Sequence, residues 1–225
     1  MTSTQPKEDE VKALIVVDMQ EDFCPPGGAL PVPGGRQLVD TINELLQNDT
    51  FIIKIASKDA HPAQHISFAD THAPPNNRPY RSTITIQNPE NPEESFQSML
   101  WPKHCVEGTW GAEFVEGLHV HRFHHIVKKG TDEKVEMYSA FGSPFRNPPI
   151  GDTGLTTILR NAGITDVYVV GLAADYCVNH TALDAVKAGF RTHVVVDATE
   201  FVDQSHMAPV YQAWGQAGIG FLTMK

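Results

Sequence analysis

What most constrains this chain is a series of short, continuous, β-branched runs, spaced so that a helical pattern fits between them. Ala13-Leu14-Ile15-Val16-Val17 is apolar at every position rather than at alternate ones, as a strand buried on both faces requires, and Asp18 ends it. Residues 51–55, 125–128, 167–170 and 193–196 repeat the pattern, with a weaker sixth run at 219–222. Helical patterns fall at 37–46, 155–162, 176–188 and 208–217. The last places Val210, Tyr211 and Trp214 on one face and Pro209 in the first turn, where proline is tolerated. Strands alternating with helices pair in parallel through right-handed crossovers. The expected fold is therefore a single doubly wound, three-layer α/β domain on a mainly parallel six-stranded sheet. That domain should span 12–225, behind a polar, acidic tail at 1–11 read as disordered. The stretch 61–113 breaks the alternation. Rich in proline and polar residues, it reads as a long functional or mobile loop.

Composition narrows the function classes. A chain of 225 residues can bury roughly 70% of the surface its unfolded form exposes, so it needs no covalent staples. Its 17 basic and 27 acidic residues give a net charge of −10, with no basic stripe to neutralise a phosphate backbone, which argues against nucleic acid. No run of eighteen apolar residues exists, and the amino terminus lacks the basic-then-apolar order of a signal peptide, so no membrane association is expected. Three cysteines, Cys24, Cys105 and Cys177, are an odd number. They favour a reducing compartment, and the cytoplasm is the default address, with nucleus or peroxisome as variants.

In doubly wound sheets, ligands gather beyond the carboxyl ends of the strands. Three strand ends carry chemistry. Cys177 follows the run 167–170 and opens a helical pattern, where unpaired N–H groups lower a thiol's pKa and can hold an oxyanion. Asp18 ends the first run and could take the thiol proton and return it to a leaving amine. Lys129 closes the run 125–128, where a cation favours the thiolate and can pair with Asp18. Taken singly, each has a blander explanation: a packing thiol, a turn-capping aspartate, a solvated lysine. A second group lies in Ser57-Lys58-Asp59-Ala60-His61-Pro62. In extended chain Asp59 and His61 point to one side, a donor pair suited to a divalent transition metal. His104, in Leu100-Trp101-Pro102-Lys103-His104-Cys105, is the best third ligand, ahead of His65 and His72. Cys24, Cys105 and the other histidines read as packing or surface residues.

These segments resemble the nicotinamidases of the isochorismatase-like cysteine hydrolases, over nearly the whole chain from Ala13 onward. The resemblance is carried by Val17-Asp18-Met19-Gln20-Glu21-Asp22-Phe23, by the Asp59–His61 and His104 segments, by Lys129-Gly130 with Tyr138-Ser139-Ala140-Phe141, and by residues 171–178. Trp-Pro-x-His-Cys is the most diagnostic, and the match is closest to the fungal type. The resemblance implies an isochorismatase-like fold and hydrolysis of nicotinamide to nicotinate and ammonia, as in NAD salvage. It also implies Cys177 as nucleophile, Asp18 as proton shuttle, Lys129 as orienting cation, and zinc held by Asp59, His61 and His104. A cis peptide at Leu172-Ala173, an oxyanion hole from the N–H groups of Ala173 and Cys177, and assembly into a homo-oligomer follow from it as well. Phe23, Trp101, Tyr138 and Tyr176 are the expected aromatic walls around the substrate. Two other readings are an amidase for ureido or carbamoyl compounds, which would not need the metal trio, and a non-enzymatic flavodoxin-like binding module. No Gly-x-Gly-x-x-Gly follows the first strand to support the latter.

Overall fold

The computed structural model describes residues 10–224. Residues 1–9 of the tail expected at 1–11 lie outside the described residues. Val11 is tied down, its N–H donating to Thr165 Oγ1 at 2.9 Å.

In chain order the elements are β1 (Lys12–Val17), α1 (Leu38–Gln47), β2 (Phe51–Asp59), β3 (Thr83–Asn88), β4 (Asn91–Met99), β5 (His125–Lys129), α2 (Leu155–Asn161), β6 (Asp166–Leu172), α3 (Cys177–Lys187), β7 (Arg191–Glu200), α4 (Met207–Ala217) and β8 (Gly220–Leu222). Six strands form one sheet in the order β5-β2-β1-β6-β7-β8. Every pairing in it is parallel.

The unbroken apolar run of β1 is explained by what covers it. Ala13, Ile15 and Val17 point into a core shared with Leu155 and Leu159 of α2, Val178 and Ala182 of α3, and Val210 and Trp214 of α4. Leu14 and Val16 point the other way, onto Leu38, Ile42, Leu45 and Leu46 of α1. Alternate side chains of a strand face opposite sides, so a central strand covered by helices on both faces must be apolar throughout. Each fully buried Leu, Ile or Val contributes about 1.5–3 kcal/mol of transfer free energy, which fixes the register of the strand.

Two features depart from the sequence-based expectation. β2 runs on past Ile55 to Asp59, because Ser57, Lys58 and Asp59 pair with Val127, Lys128 and Lys129 of β5. Backbone pairing, not apolarity, extends it. The stretch 61–113 is not one irregular loop: β3 and β4 form an antiparallel hairpin, Thr83 opposite Met99 and Ile86 opposite Phe96. Thr83-Ile84-Thr85-Ile86 carries the alternation that signals it, and the surrounding prolines and acids mask it. Among the described residues, no helix is long and apolar enough to cross a membrane.

Candidate active site

Strand order reverses between β1 and β6, and chemistry collects at the carboxyl ends there. Asp18 follows β1 in the left-handed region, at φ 49°. Asp59 ends β2, Lys129 ends β5 directly opposite it, and Cys177 is the first residue of α3 after β6. Because β2 lies between β5 and β1, the strand spacing puts the Lys129 backbone about 10 Å from β1, a gap that only a long side chain closes. Lys129 Nζ reaches Asp59 Oδ1 at 2.5 Å, Asp18 Oδ2 at 2.9 Å and Cys177 Sγ at 3.4 Å. It also donates to the Met137 carbonyl at 3.2 Å. Asp18 Oδ1 accepts from Ser57 Oγ at 2.6 Å, whereas Oδ2 takes part in the ion pair but in no hydrogen bond among the described residues. The carboxylates of Asp18 and Asp59 and the Cys177 sulfur all lie within 4.8 Å of one another.

The electrostatics set the proton affinity of each group. Burial raises the Cys177 thiol well above its ordinary range. Lys129 pulls it down, but Asp18 and Asp59 add to the rise. Lys129 favours the thiolate, as expected of a cation there, but burial is the larger influence and the two carboxylates work in the same direction as burial. Burial also raises Asp18, against the pull of Lys129, which makes it a stronger base than an ordinary aspartate. Burial opposes charge on Asp59 too, but Lys129, His61 and His104 prevail and hold it ionised. Lys129 stays protonated: burial disfavours its charge, and Asp18 and Asp59 more than restore it. Burial thus raises the proton affinity of both the thiol and its neighbour Asp18.

Beside this group lie Asp59, His61 and His104, all buried, with Nε2 of His61 and His104 at 3.5 and 3.9 Å from Asp59 Oδ2. His61 Nδ1 donates to the Gly130 carbonyl at 2.9 Å and His104 Nδ1 to the Pro102 carbonyl at 2.8 Å. A carbonyl can only accept, so both Nδ1 atoms carry hydrogen and Nε2, turned toward Asp59, is the nitrogen each ring has left to offer a metal. Burial, with His61 adding to it, pushes His104 down to about 4, leaving it neutral and ready to ligate near pH 7. Two nitrogens and one carboxylate oxygen, oriented by carbonyls, suit a divalent transition metal with positions left for other ligands. Local backbone serves the same end. Gly130 has φ 63°, and a Cβ there would overlap the His61 ring. The turn after His104 is stitched to His61, whose N–H donates to the Cys105 carbonyl at 3.0 Å.

The thiol and two of the trio, Asp59 and His104, line one small cavity of about 30 Å³ together with Phe23, Trp101, Tyr138, Ala173 and Tyr176. All four expected wall aromatics line it. Trp101 Nε1 donates to the Tyr138 hydroxyl at 3.1 Å, and Trp101 meets Tyr176 edge-on at 4.8 Å. The Leu172-Ala173 peptide is cis. Sequence reasoning missed Leu30, Val32, Glu136 and Val202, which complete the lining. Leu30 and Val32 were visible as apolar residues inside a proline- and glycine-rich loop. Nothing in the sequence marked Glu136, a buried carboxylate grouped with His61 and His65. His65 is engaged elsewhere: its Nε2 donates to the Val135 carbonyl, and its Nδ1 accepts from Ser67. Cys24 and Cys105 are buried, and burial raises both thiols, Cys24 to about 11, as suits packing residues.

A buried thiol, a carboxylate and a lysine thus meet at the carboxyl edge of a parallel sheet, and comparison with known proteins places this combination. The isochorismatase domain model matches residues 12–216. The chain belongs to the isochorismatase domain family. Within it, the chain is 40% identical to a nicotinamidase of Acinetobacter baylyi, over 90% of this chain and 86% of that one. It is 39% identical to a nicotinamidase of Saccharomyces cerevisiae, over 84% and 88%. The yeast nicotinamidase bound to the inhibitor nicotinaldehyde superposes with a TM-score of 0.87, at 33% identity over 95% of this chain and all of that one. A Pyrococcus horikoshii pyrazinamidase in complex with zinc gives 0.73, at 34% identity over 95% and 99%.

Proposed function

We propose that this chain hydrolyses nicotinamide to nicotinate and ammonia, with Cys177 as nucleophile, Asp18 as proton shuttle and Lys129 as orienting cation. The observation that carries this reading is one small aromatic-walled cavity bearing the thiol together with Asp59 and His104 of the trio. Such a cavity suits a flat ring whose amide meets the thiol and whose ring nitrogen faces the trio. The reading of the chain as an amidase for ureido compounds gives that trio no task.

Asp18 takes the proton from Cys177 Sγ as sulfur attacks the amide carbon, turning the carbonyl oxygen into an oxyanion. The N–H groups of Ala173 and Cys177 serve as its donors, the latter in the first turn of α3, where N–H groups lack intrahelical acceptors. The intermediate collapses by breaking the C–N bond, Asp18 gives its proton to the departing nitrogen, and ammonia leaves a nicotinoyl thioester on Cys177. Water then attacks the thioester, its proton passing to Asp18 and on to sulfur, and nicotinate is released. Throughout, Lys129 keeps Asp18 and Asp59 in place. Phe23, Trp101, Tyr138 and Tyr176 hold the ring. Zinc held by Asp59, His61 and His104 would supply a Lewis acid that orients and polarises the pyridine ring. The free cysteines suit a reducing compartment, and we place the reaction in the cytoplasm.

The test is ammonia release from nicotinamide by the purified protein, beside Cys177→Ala and a chelator-treated sample. The expected result is turnover by wild type that is lost in both controls. An inactive, metal-loaded wild type overturns the substrate assignment.

A further inference from the structure

The segment 18–23 does more than deliver Asp18 and Phe23 to the cavity. Two of its polar side chains, Gln20 and Asp22, are buried and turned away from the cavity, toward the backbone that carries the trio. Gln20 Oε1 accepts the Asp59 N–H at 2.8 Å, and Gln20 Nε2 donates to the Asp59 carbonyl at 2.8 Å and to the Ala112 carbonyl at 3.0 Å. In a parallel ladder the N–H and C=O of one residue point to the same neighbour. For Asp59 that neighbour would be β1, but pairing between β1 and β2 stops at Val16 opposite Ala56. The Gln20 amide stands in as the missing rung, using its acceptor and both donor hydrogens.

Asp22 holds the other side. Its Oδ2 accepts the Cys105 N–H at 2.7 Å and its Oδ1 accepts the Ala29 N–H at 3.1 Å. Cys105 directly follows His104 and sits in the left-handed region at φ 46°, a conformation that a non-glycine residue keeps only when its surroundings hold it. Gly111 gives the carboxylate room, since a Cβ there would overlap it. One short segment thus fixes the backbone at one trio member and just after another.

We infer that Gln20 and Asp22 are positioning residues for the metal trio, Gln20 setting Asp59 and Asp22 setting the turn that carries His104. The inference rests on the metal site proposed above. Outer groups of this kind change metal affinity by about 10–100-fold when removed. A residue serving stability alone would lower the melting temperature and leave metal affinity and ligand geometry as they were.

The test uses the purified full chain with its metal exchanged through a chelator, as wild type, Gln20→Met, Asp22→Asn and His104→Ala. Zinc affinity is measured by competition with a chromogenic chelator, and the visible absorption of the cobalt(II)-loaded protein reports ligand geometry. Folded Gln20→Met and Asp22→Asn are expected to bind zinc about 10–100-fold more weakly and to shift the cobalt bands. Each residue stands or falls by its own variant, so failure of one to fold leaves the other to decide. Wild-type affinity and bands in the folded variants, with binding lost in His104→Ala, overturn the positioning roles and leave the metal site standing. Wild-type zinc affinity in His104→Ala overturns the metal site and the inference with it.

Discussion

The two halves of the site are built in different ways. Asp18 and Lys129 come directly off strands of one sheet, so their spacing follows from the strand pitch, and Cys177 follows β6 through the short connection 173–176 that opens α3. The trio draws Asp59 from a strand, His61 from the chain just beyond it, and His104 from the far side of the β3–β4 hairpin. No repeating geometry sets that second spacing. It is set by individual hydrogen bonds: the Gly130 and Pro102 carbonyls accept from the imidazoles, Gln20 accepts the Asp59 N–H, and Asp22 accepts the Cys105 N–H. Strand ends set the first spacing with little help, whereas the loop-borne trio needs its own scaffolding of buried polar groups.

Separating the halves tests this contrast. Cys177→Ala should lower nicotinamide turnover by at least about 10⁴-fold, the scale seen when a nucleophile is removed, while zinc affinity stays at the wild-type value. Loss of zinc binding in that variant would show that the halves are not separable. His104→Ala should lower kcat/KM by roughly 10³-fold, corresponding to several kcal/mol of metal-supplied stabilisation, and lose zinc, with the far-ultraviolet circular dichroism unchanged. The pH profile addresses the strand-borne half. Asp18 must be ionised to take the thiol proton, and burial raises its pKa above the ordinary 3.8. Activity should fall about tenfold per pH unit below that raised value, so an acid limb in kcat/KM at or below 3.8 would remove Asp18 as the base.

Smaller effects are expected at the rim. Tyr138→Phe deletes the hydroxyl that accepts from Trp101 and bonds Ser98, and should raise KM by about five- to tenfold with kcat little changed, the scale of one hydrogen bond. An equal fall in kcat would make Tyr138 part of the chemistry. At the far end of the segment 18–23, burial would raise Glu21, but Arg36 and the Glu116 N–H hold it below the usual 4.5. A depressed carboxylate contributes stability above its unfolded pKa and loses it as pH falls through the folded value. Arg36→Leu should therefore cost about 1–2 kcal/mol in urea unfolding at pH 7, and progressively less below pH 4.5. A cost independent of pH would assign the effect to packing.

Legibility followed the same division. The runs at 13–17 and 167–170 announced their strands because burial on both faces leaves a nearly unbroken apolar signature, whereas 125–128 is a mostly exposed edge strand; Asp18 and Lys129 stood out directly after their runs, and Cys177 at the start of the helical pattern that follows 167–170. In Trp101 through Cys105, His104 was legible as the best third ligand for the Asp59–His61 pair, but no periodicity marks a loop-borne ligand, and the family resemblance made the segment diagnostic. The β3–β4 hairpin went unread, its alternation diluted by exposed acids and prolines. Glu136 was invisible, since nothing local distinguishes a buried glutamate from a solvated one.

By itself the sequence determined the doubly wound sheet, the strand ends that carry chemistry and the residue types able to perform it, because burial patterns and strand periodicity are local properties of the chain. Only the tertiary structure decided that Lys129 spans β2 to meet two carboxylates and the thiol. It alone decided that burial raises the proton affinity of the thiol and of Asp18, and that Gln20 and Asp22 turn from the cavity to hold the trio's backbone. Those outcomes depend on distances between residues far apart in the chain and on how much water is excluded among them, and neither quantity is written in any local stretch of sequence.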